Sequence, residues 1–378
     1  MQFSTDTLNG AIVRNGFLVL ALASLLVAGT ALGAPAVGRL VSWGTGQVFP
    51  ANGPADIVAV STAVDHSLAL KSDGTVFAWG DNMNGQCDVP AGLASVTKIA
   101  AGEFFSVALK SDRSIVTWGA NDYGQRDLPS GLTGVTDISA GRGHVLALKN
   151  NGTVVGWGCN VFGQATVPSG LTAVKSILAE GNYSVAVKTN GTVVAWGAND
   201  SGQTNLPSGL RVKAVAGSTT WCMALRTNGT VVAWGQHPTL PAGLDNVTAI
   251  AAGQNHGLAL TSGGAVVAWG TDPSGATIVP NPLPRPFAIA ASWHHSAALA
   301  TGSVAIAAAR LINPRLIGNN FSVSLASQAD VTYILEGKDS LADASWTGLS
   351  TVTGTGSQIT LTNNSASSAR RLYRVRAQ

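Results

Sequence analysis

Residues 183–197 read Tyr-Ser-Val-Ala-Val-Lys-Thr-Asn-Gly-Thr-Val-Val-Ala-Trp-Gly. Two apolar runs, Tyr183–Lys188 and Thr192–Trp196, flank Thr189-Asn190-Gly191. Asn-Gly between apolar runs is a strong hairpin signal, because a type I′ turn needs φ > 0 at both central residues. A third apolar run, Val174–Ala179, comes before the pair. The stretch predicts an antiparallel meander of three strands, with room for a short fourth near Pro207.

The unit recurs. Trp-Gly pairs begin at Trp43, Trp79, Trp118, Trp157, Trp196, Trp234 and Trp269, in steps of 35 to 39 residues. A fixed period of this size means stacked units. The turn slot reads Asp73-Gly74, Asn151-Gly152, Asn228-Gly229 and Gly263-Gly264 elsewhere. Asp112-Arg113 breaks the pattern and predicts a strained or rearranged turn. A polar loop follows Trp-Gly and ends in Gly-Gln, at Gly85-Gln86, Gly124-Gln125, Gly163-Gln164 and Gly202-Gln203. Reversing turns without a 3.6-residue period exclude helical repeats.

Strands such as Thr230–Trp234 are apolar on both faces. That fits sheets covered on both sides by neighbours. The first strand ends in small residues, as in Ala100-Ala101-Gly102 and Ala251-Ala252-Gly253. The innermost strand of a radial arrangement has least room. The two ends of the array are complementary. Arg39–Gly44 has no partners before it, and Phe287–Leu299 has no Trp-Gly strand after it. The expectation is an all-β protein: a seven-bladed β-propeller closed by the N-terminal strand, followed by a small C-terminal β-sandwich. Sharing a blade pairs both open edges. The competing arrangement uses Val304–Ala308 as the last strand and leaves Trp43 outside the ring.

Residues 1–33 read as a signal peptide. Arg14 precedes an uncharged run from Phe17 to Gly29, and Ala31-Leu32-Gly33 supplies small residues before a cut at Ala34. The rival is a retained anchor. Cleavage implies a secreted or envelope location and no later membrane span. The propeller is expected over 38–301, a linker over 302–312, and the sandwich over 313–378. Phe321–Leu325, Thr332–Glu336, Gln358–Thr362 and Leu372–Arg376 are its candidate strands. With Trp346 they resemble fibronectin-like or immunoglobulin-like modules of secreted bacterial proteins.

The repeated phrases resemble the regulator of chromosome condensation repeat family. They are most similar to its compact bacterial form, seen in the secreted type-two β-lactamase inhibitor protein. His66–Lys71, Gly191–Gly197 and Gly-Gln before a proline carry the resemblance, which covers about Gly38 to Ala300. It implies a propeller whose one face binds a protein. The family's eukaryotic founder is a nucleotide-exchange factor for a small GTPase, which the resemblance offers here only as a remote alternative by analogy.

Apolar residues make up 46% and charged residues 11%, which argues against disorder. Net charge is +3 with Lys and Arg scattered singly along the chain, so no nucleic-acid partner is expected. Cys87, Cys159 and Cys222 are odd in number and far apart, with no disulfide or metal pattern.

A residue repeated in every unit is architecture, and a residue that breaks the repeat at a loop tip is a functional candidate. The Trp-Gly tryptophans are therefore core. His66, Phe105, His144, Tyr183, Trp221, His256 and His295 start the second runs. They read as a packed, hydrogen-bonded position before a metal ring, since ligands must converge within a few ångströms. Loops after the first and third strands share one end of a meander. Rigid scaffolds carry binding on such loops. The candidates are Glu103, Phe104, Tyr123, Arg142, Phe162 and Trp293. Glu103 and Glu180 do not assemble into an acid–base pair from sequence. There is no nucleophile elbow, phosphate loop or metal-binding helix. Asn-Gly-Thr at Asn151, Asn190 and Asn228 matches the glycosylation pattern, but the turn already explains it. The expected function is a monomeric, non-enzymatic, cofactor-free and metal-free scaffold that binds a protein, as inhibitor or adaptor. A glycan-binding propeller and a polysaccharide-active propeller enzyme are the alternatives.

Overall fold

The computed structural model describes residues 25–26, 38–45, 49–50, 53–271, 273–281, 283 and 285–301, then 312–317, 320–326, 332–338, 347–353, 358–364 and 372–377. The expected signal peptide lies outside them, apart from Leu25–Leu26, which pairs with Ala59 and Val60. So do the alternative strand at 304–308, Trp346 and the linker up to residue 311. The chain divides into two compact units, Met1–Gly302 and Ser303–Gln378.

The first unit consists of antiparallel meanders in which the second strand is central. Repeat one comprises Ile57–Thr62, His66–Lys71 and Val76–Gly80. Repeats two to six follow over Val96–Gly119, Val135–Gly158, Val174–Gly197, Val212–Gly235 and Val247–Gly270. The last sheet joins distant segments. Arg39–Gly44 pairs with His295–Ala300, which pairs in turn with Pro286–Ala291. No fourth strand follows the Gly-Gln loops among the described residues.

The hairpins differ from the type I′ expectation. In repeat four Lys188 N donates to Thr192 O and Gly191 N to Lys188 O, both at 2.8 Å. The loop therefore has three residues, and Gly191 alone of them has positive φ, at 84°. This is a type I turn followed by a left-handed glycine. Asn190 acts through its side chain: Oδ1 accepts from Thr192 N at 3.0 Å and Oγ1 at 2.7 Å. Arg113 takes the glycine position with φ 71° while the same backbone bonds form, so that turn is strained but not rearranged.

Each first strand carries a bulge near its start, as between Val174 and Ser176. Second strands are buried almost throughout, and third strands are half-buried up to their tryptophan. Apolar clusters run across sheet boundaries. Leu68 packs with Ile99 and Trp118, and Leu146 with Ile177 and Trp196. The largest cluster includes Trp221, Leu258, Leu299 and Ile57, from repeats five, six, seven and one. Each tryptophan is thus wedged between consecutive sheets, which explains why Trp-Gly marks every repeat.

The second unit has two three-stranded sheets. One is Ile312–Ile317, Asn320–Ala326 and Gln358–Asn363; the other is Thr347–Thr353, Thr332–Lys338 and Leu372–Ala377. Val323, Tyr333, Leu335, Ile359 and Leu361 share its core. The sequence pattern missed two strands. Ile312–Ile317 contains Pro314, and the register shifts there between Ile312 and Arg315. Thr347–Thr353 is a polar edge strand.

Candidate functional site

Strand pairing sets Tyr183 opposite both Glu180 and Gly197. The loop after each first strand therefore meets the loop after each third strand at one end of the unit, the loop end. The hairpins occupy the other, the hairpin end.

The Gly-Gln loops are built from the inside. Gln125 is buried, and its Oε1 accepts the backbone N–H of Tyr123 at 2.8 Å. Asn121 Oδ1 accepts from Arg126 N at 2.8 Å. Gln164 holds Phe162 N in the same way at 2.9 Å. A pinned backbone leaves the tip side chain pointing outward: Tyr123 is 60% exposed and Phe162 49%. Met83 and Val161 stand beside them and are exposed too.

The other loops surround an opening to which every repeat contributes. Val64, Glu103, Arg142, Glu180, Thr219, Gln254 and Trp293 line it in turn. Arg142 Nε donates to Glu103 Oε2 at 2.5 Å. Burial raises the Glu103 carboxyl and Arg142 opposes that rise. Glu180 is half-buried and pushed up to about 8, chiefly by burial and further by Glu103. Burial also raises Asp65, with Asp81 adding to it. The loop end as a whole is acidic. It carries Asp65, Asp81, Asp88, Glu103, Asp122, Asp127, Glu180 and Asp200 against Arg126 and Arg142. No three metal-ligating side chains cluster among the described residues.

Residues 57–86, 96–125, 135–164 and 247–276 match the family model of the regulator of chromosome condensation (RCC1) repeat. Four segments of the chain thus match the RCC1 repeat. Its structure is similar to that of Prp20p from Saccharomyces cerevisiae, with 17% identity over 71% of this chain and 92% of that one, at TM-score 0.61. A chain in the crystal structure of Kap60 bound to yeast RCC1 (Prp20) gives 17% identity, 80% and 97% coverage, and TM-score 0.63. Human WBSCR16 gives 18%, 64% and 87%, and 0.55. No curated protein matches by sequence. At these identities the likeness carries the fold alone, a β-propeller.

All six sequence candidates lie at the loop end of these repeats. Glu103, Arg142 and Trp293 line the opening, and the Glu103–Arg142 pair joins repeats two and three. Phe104, Tyr123 and Phe162 stand exposed on the surrounding loops. Tyr123 lies beside Gly143, the neighbour of Arg142. The recurrent histidines are structural. His66, His144 and His256 are fully buried, and each Nε2 lies 2.9 Å from a serine of the next repeat. His294 is exposed whereas His295 is buried, as strand alternation requires.

Glu180 was not singled out as a site residue. Its signal was present: the equivalent slot elsewhere is Ala63, Gly102, Gly141, Ser218, Gly253 or Ser292. A Cβ on Gly102 would strike the Phe105 ring, and one on Gly141 the His144 ring. In repeat four Tyr183 instead reaches into the next repeat, where its hydroxyl donates to Ser218 O at 2.8 Å. That leaves room for a glutamate.

Proposed function

We propose that this chain is an exported, non-enzymatic scaffold whose propeller binds a protein partner through its loop end. The ring is seven-bladed and closed, with Arg39–Gly44 completing the last blade. Support comes from the strand pairing of Leu40 with Leu299 and from hydrogen bonds between repeats seven and one. Thr62 Oγ1 donates to Ala291 O at 3.3 Å, and Ser292 Oγ donates to Ala63 O. Export rests on the signal-like pattern of residues 1–33. The second unit serves as a fibronectin-like or immunoglobulin-like spacer.

One observation carries the binding reading: Phe104, Tyr123 and Phe162 are exposed aromatic rings at one end of repeats two and three, and Tyr123 and Phe162 stand on pinned loops. Aromatic residues on rigid supports dominate protein interfaces. The solved relatives are reported with protein partners, Gsp1p and histones for Prp20p and Kap60 for yeast RCC1. We carry over the class of partner and not its identity. An inhibitor or adaptor of a secreted or envelope protein fits best. The test is affinity capture from culture fluid and envelope fractions with the full chain and with Phe104→Ala/Tyr123→Ala. A partner should be captured by the first and lost with the second. Equal capture by both would remove these rings from the site.

A carbohydrate reading has its own support, because Trp293, Glu103 and Glu180 share the opening. An indole beside two carboxyls suits a sugar ring. Glycan binding lost in Trp293→Ala, or polysaccharide turnover lost in Glu180→Gln, would favour it.

A further inference from the structure

The hairpin end is chemically unlike the loop end. In five consecutive repeats the second strand ends there on a cation: Lys71, Lys110, Lys149, Lys188 and Arg226. Repeats one and two place a carboxylate beside it. Asp73 lies 2.8 Å from Lys71, and Asp112 lies 3.3 Å from Lys110. In repeats three, four and five the same slot holds Asn151, Asn190 and Asn228.

Turn geometry does not account for the change. Asp73 Oδ1 accepts from Thr75 N at 2.9 Å, and Asn190 Oδ1 accepts from Thr192 N at 3.0 Å. Either side chain closes the turn, but only the amide leaves the cation unneutralised. First strands enlarge the sector. Arg211 and Lys213 are exposed at the start of repeat five. Lys213 sits at the bulge between Val212 and Ala214. Between Asp137 and Asp245 the chain has two carboxylates, Glu180 and Asp200, and both are at the loop end. Asp137, in repeat three, is buried and paired with Lys98 at 3.2 Å, and exposed Asp245 borders the repeat-five hairpin, where Val247 N donates to Gly229 O. Between those two acids repeats three to five present a basic surface.

We propose that this basic sector docks the propeller onto an anionic lipid surface. The cations stand one per hairpin across an array of turns. A fluid sheet of headgroups can supply negative charge wherever a cation falls. Single-stranded nucleic acids are held by stacking aromatics, and sugars too are met by aromatic faces. No aromatic residue stands at this end in repeats three to five, and Phe104, Tyr123 and Phe162, the exposed aromatic rings of repeats two and three, are at the loop end. The two ends thus take different partners.

The test is co-sedimentation of the full chain with vesicles of phosphatidylglycerol in phosphatidylcholine, and of phosphatidylcholine alone. Binding should require phosphatidylglycerol and vanish at high salt. Asn151→Asp/Asn190→Asp/Asn228→Asp restores the carboxylates of repeats one and two and should weaken binding about tenfold. Asp73→Asn/Asp112→Asn should strengthen it. If the triple variant melts early, Lys188→Gln/Lys213→Gln/Arg226→Gln replaces it with the same expectation. Equal binding to neutral vesicles, no loss in either triple variant, or tighter binding to duplex DNA at matched phosphate would overturn the proposal. Salt-sensitive self-association without vesicles would do so too, by pairing the basic end with the acidic loop end of a second copy.

Discussion

His66 Nε2 and Ser106 Oγ stand 2.9 Å apart across the boundary between repeats one and two. Ser106 donates its single hydroxyl hydrogen to Gln86 O at 2.8 Å, and Trp118 Nε1 donates to the same oxygen at 2.8 Å. Ser106 must therefore accept from His66, which fixes the Nε2–H tautomer. The relay repeats as His144, Ser184, Gln164 and Trp196, and again as His256, Ser296, Ala276 and Trp43. It links three recurrent sequence features, the histidine, the Gly-Gln loop and the Trp-Gly strand, into one clasp between sheets. Ser184→Ala deprives the buried His144 N–H of its acceptor and should cost about 1–3 kcal/mol. Urea unfolding followed by tryptophan fluorescence checks this, and an unchanged midpoint would mean the clasp adds no stability.

The same histidines should make the propeller acid-sensitive. Burial pushes His66 down to about 4 and His144 down to about 3, against 6.5 in an unfolded chain. As pH falls below 6.5 the unfolded state takes up protons that the folded state refuses. Their contribution is complete above that value and is lost progressively on acidification. At pH 4 the loss is roughly 3 kcal/mol per histidine. Phe105 fills the same slot in repeat two, so His144→Phe has a native precedent. Melting temperatures across pH 7 to 4 should fall less steeply in that variant, and parallel curves would refute the assignment.

Much of the all-β repeat frame was legible because Trp-Gly, Gly-Gln and the turn glycine recur with nearly constant spacing. Their roles were less legible. Asn190 was read as a φ > 0 residue, yet its carbonyl oxygen holds the turn and Gly191 alone takes positive φ. Gln125 is polar in sequence but buried, because its amide clamps a loop tip. Lys188, Arg211 and Arg226 lie far apart in the chain and share one end only after the repeats fold. Glu180 was visible as a large residue in a slot otherwise small. Its proximity to Glu103 depends on both loops facing one opening.

Gly217 is set by its neighbour Tyr183. A Cβ at Gly217 would collide with Tyr183 Oη and press Leu178 Cδ2. Gly217→Ala should cost about 2 kcal/mol or more through overpacking. Tyr183→Phe also destabilises, since Ser218 O loses the hydroxyl that donates to it at 2.8 Å. It removes the colliding atom as well, so the double variant should be more stable than the two single losses imply. A coupling of about 1 kcal/mol or more in a double-mutant cycle is the expected result. Simple additivity would mean that Tyr183 is not what excludes a side chain at this glycine.

Glu180 should destabilise the propeller at neutral and alkaline pH. Its carboxyl is raised from 4.5 to about 8, mainly by burial. Above pH 4.5 the unfolded chain releases this proton while the folded chain keeps it. Stability is therefore highest below that value, declines as pH rises towards 8, and then levels off. Glu180→Gln keeps the shape and removes the ionisation. It should be more stable than the parent by roughly 2–4 kcal/mol at pH 9, and by little at pH 4. Denaturant titrations at the two pH values measure the difference. A variant equally stable to the parent at pH 9 would show that the glutamate ionises freely at the mouth of the opening.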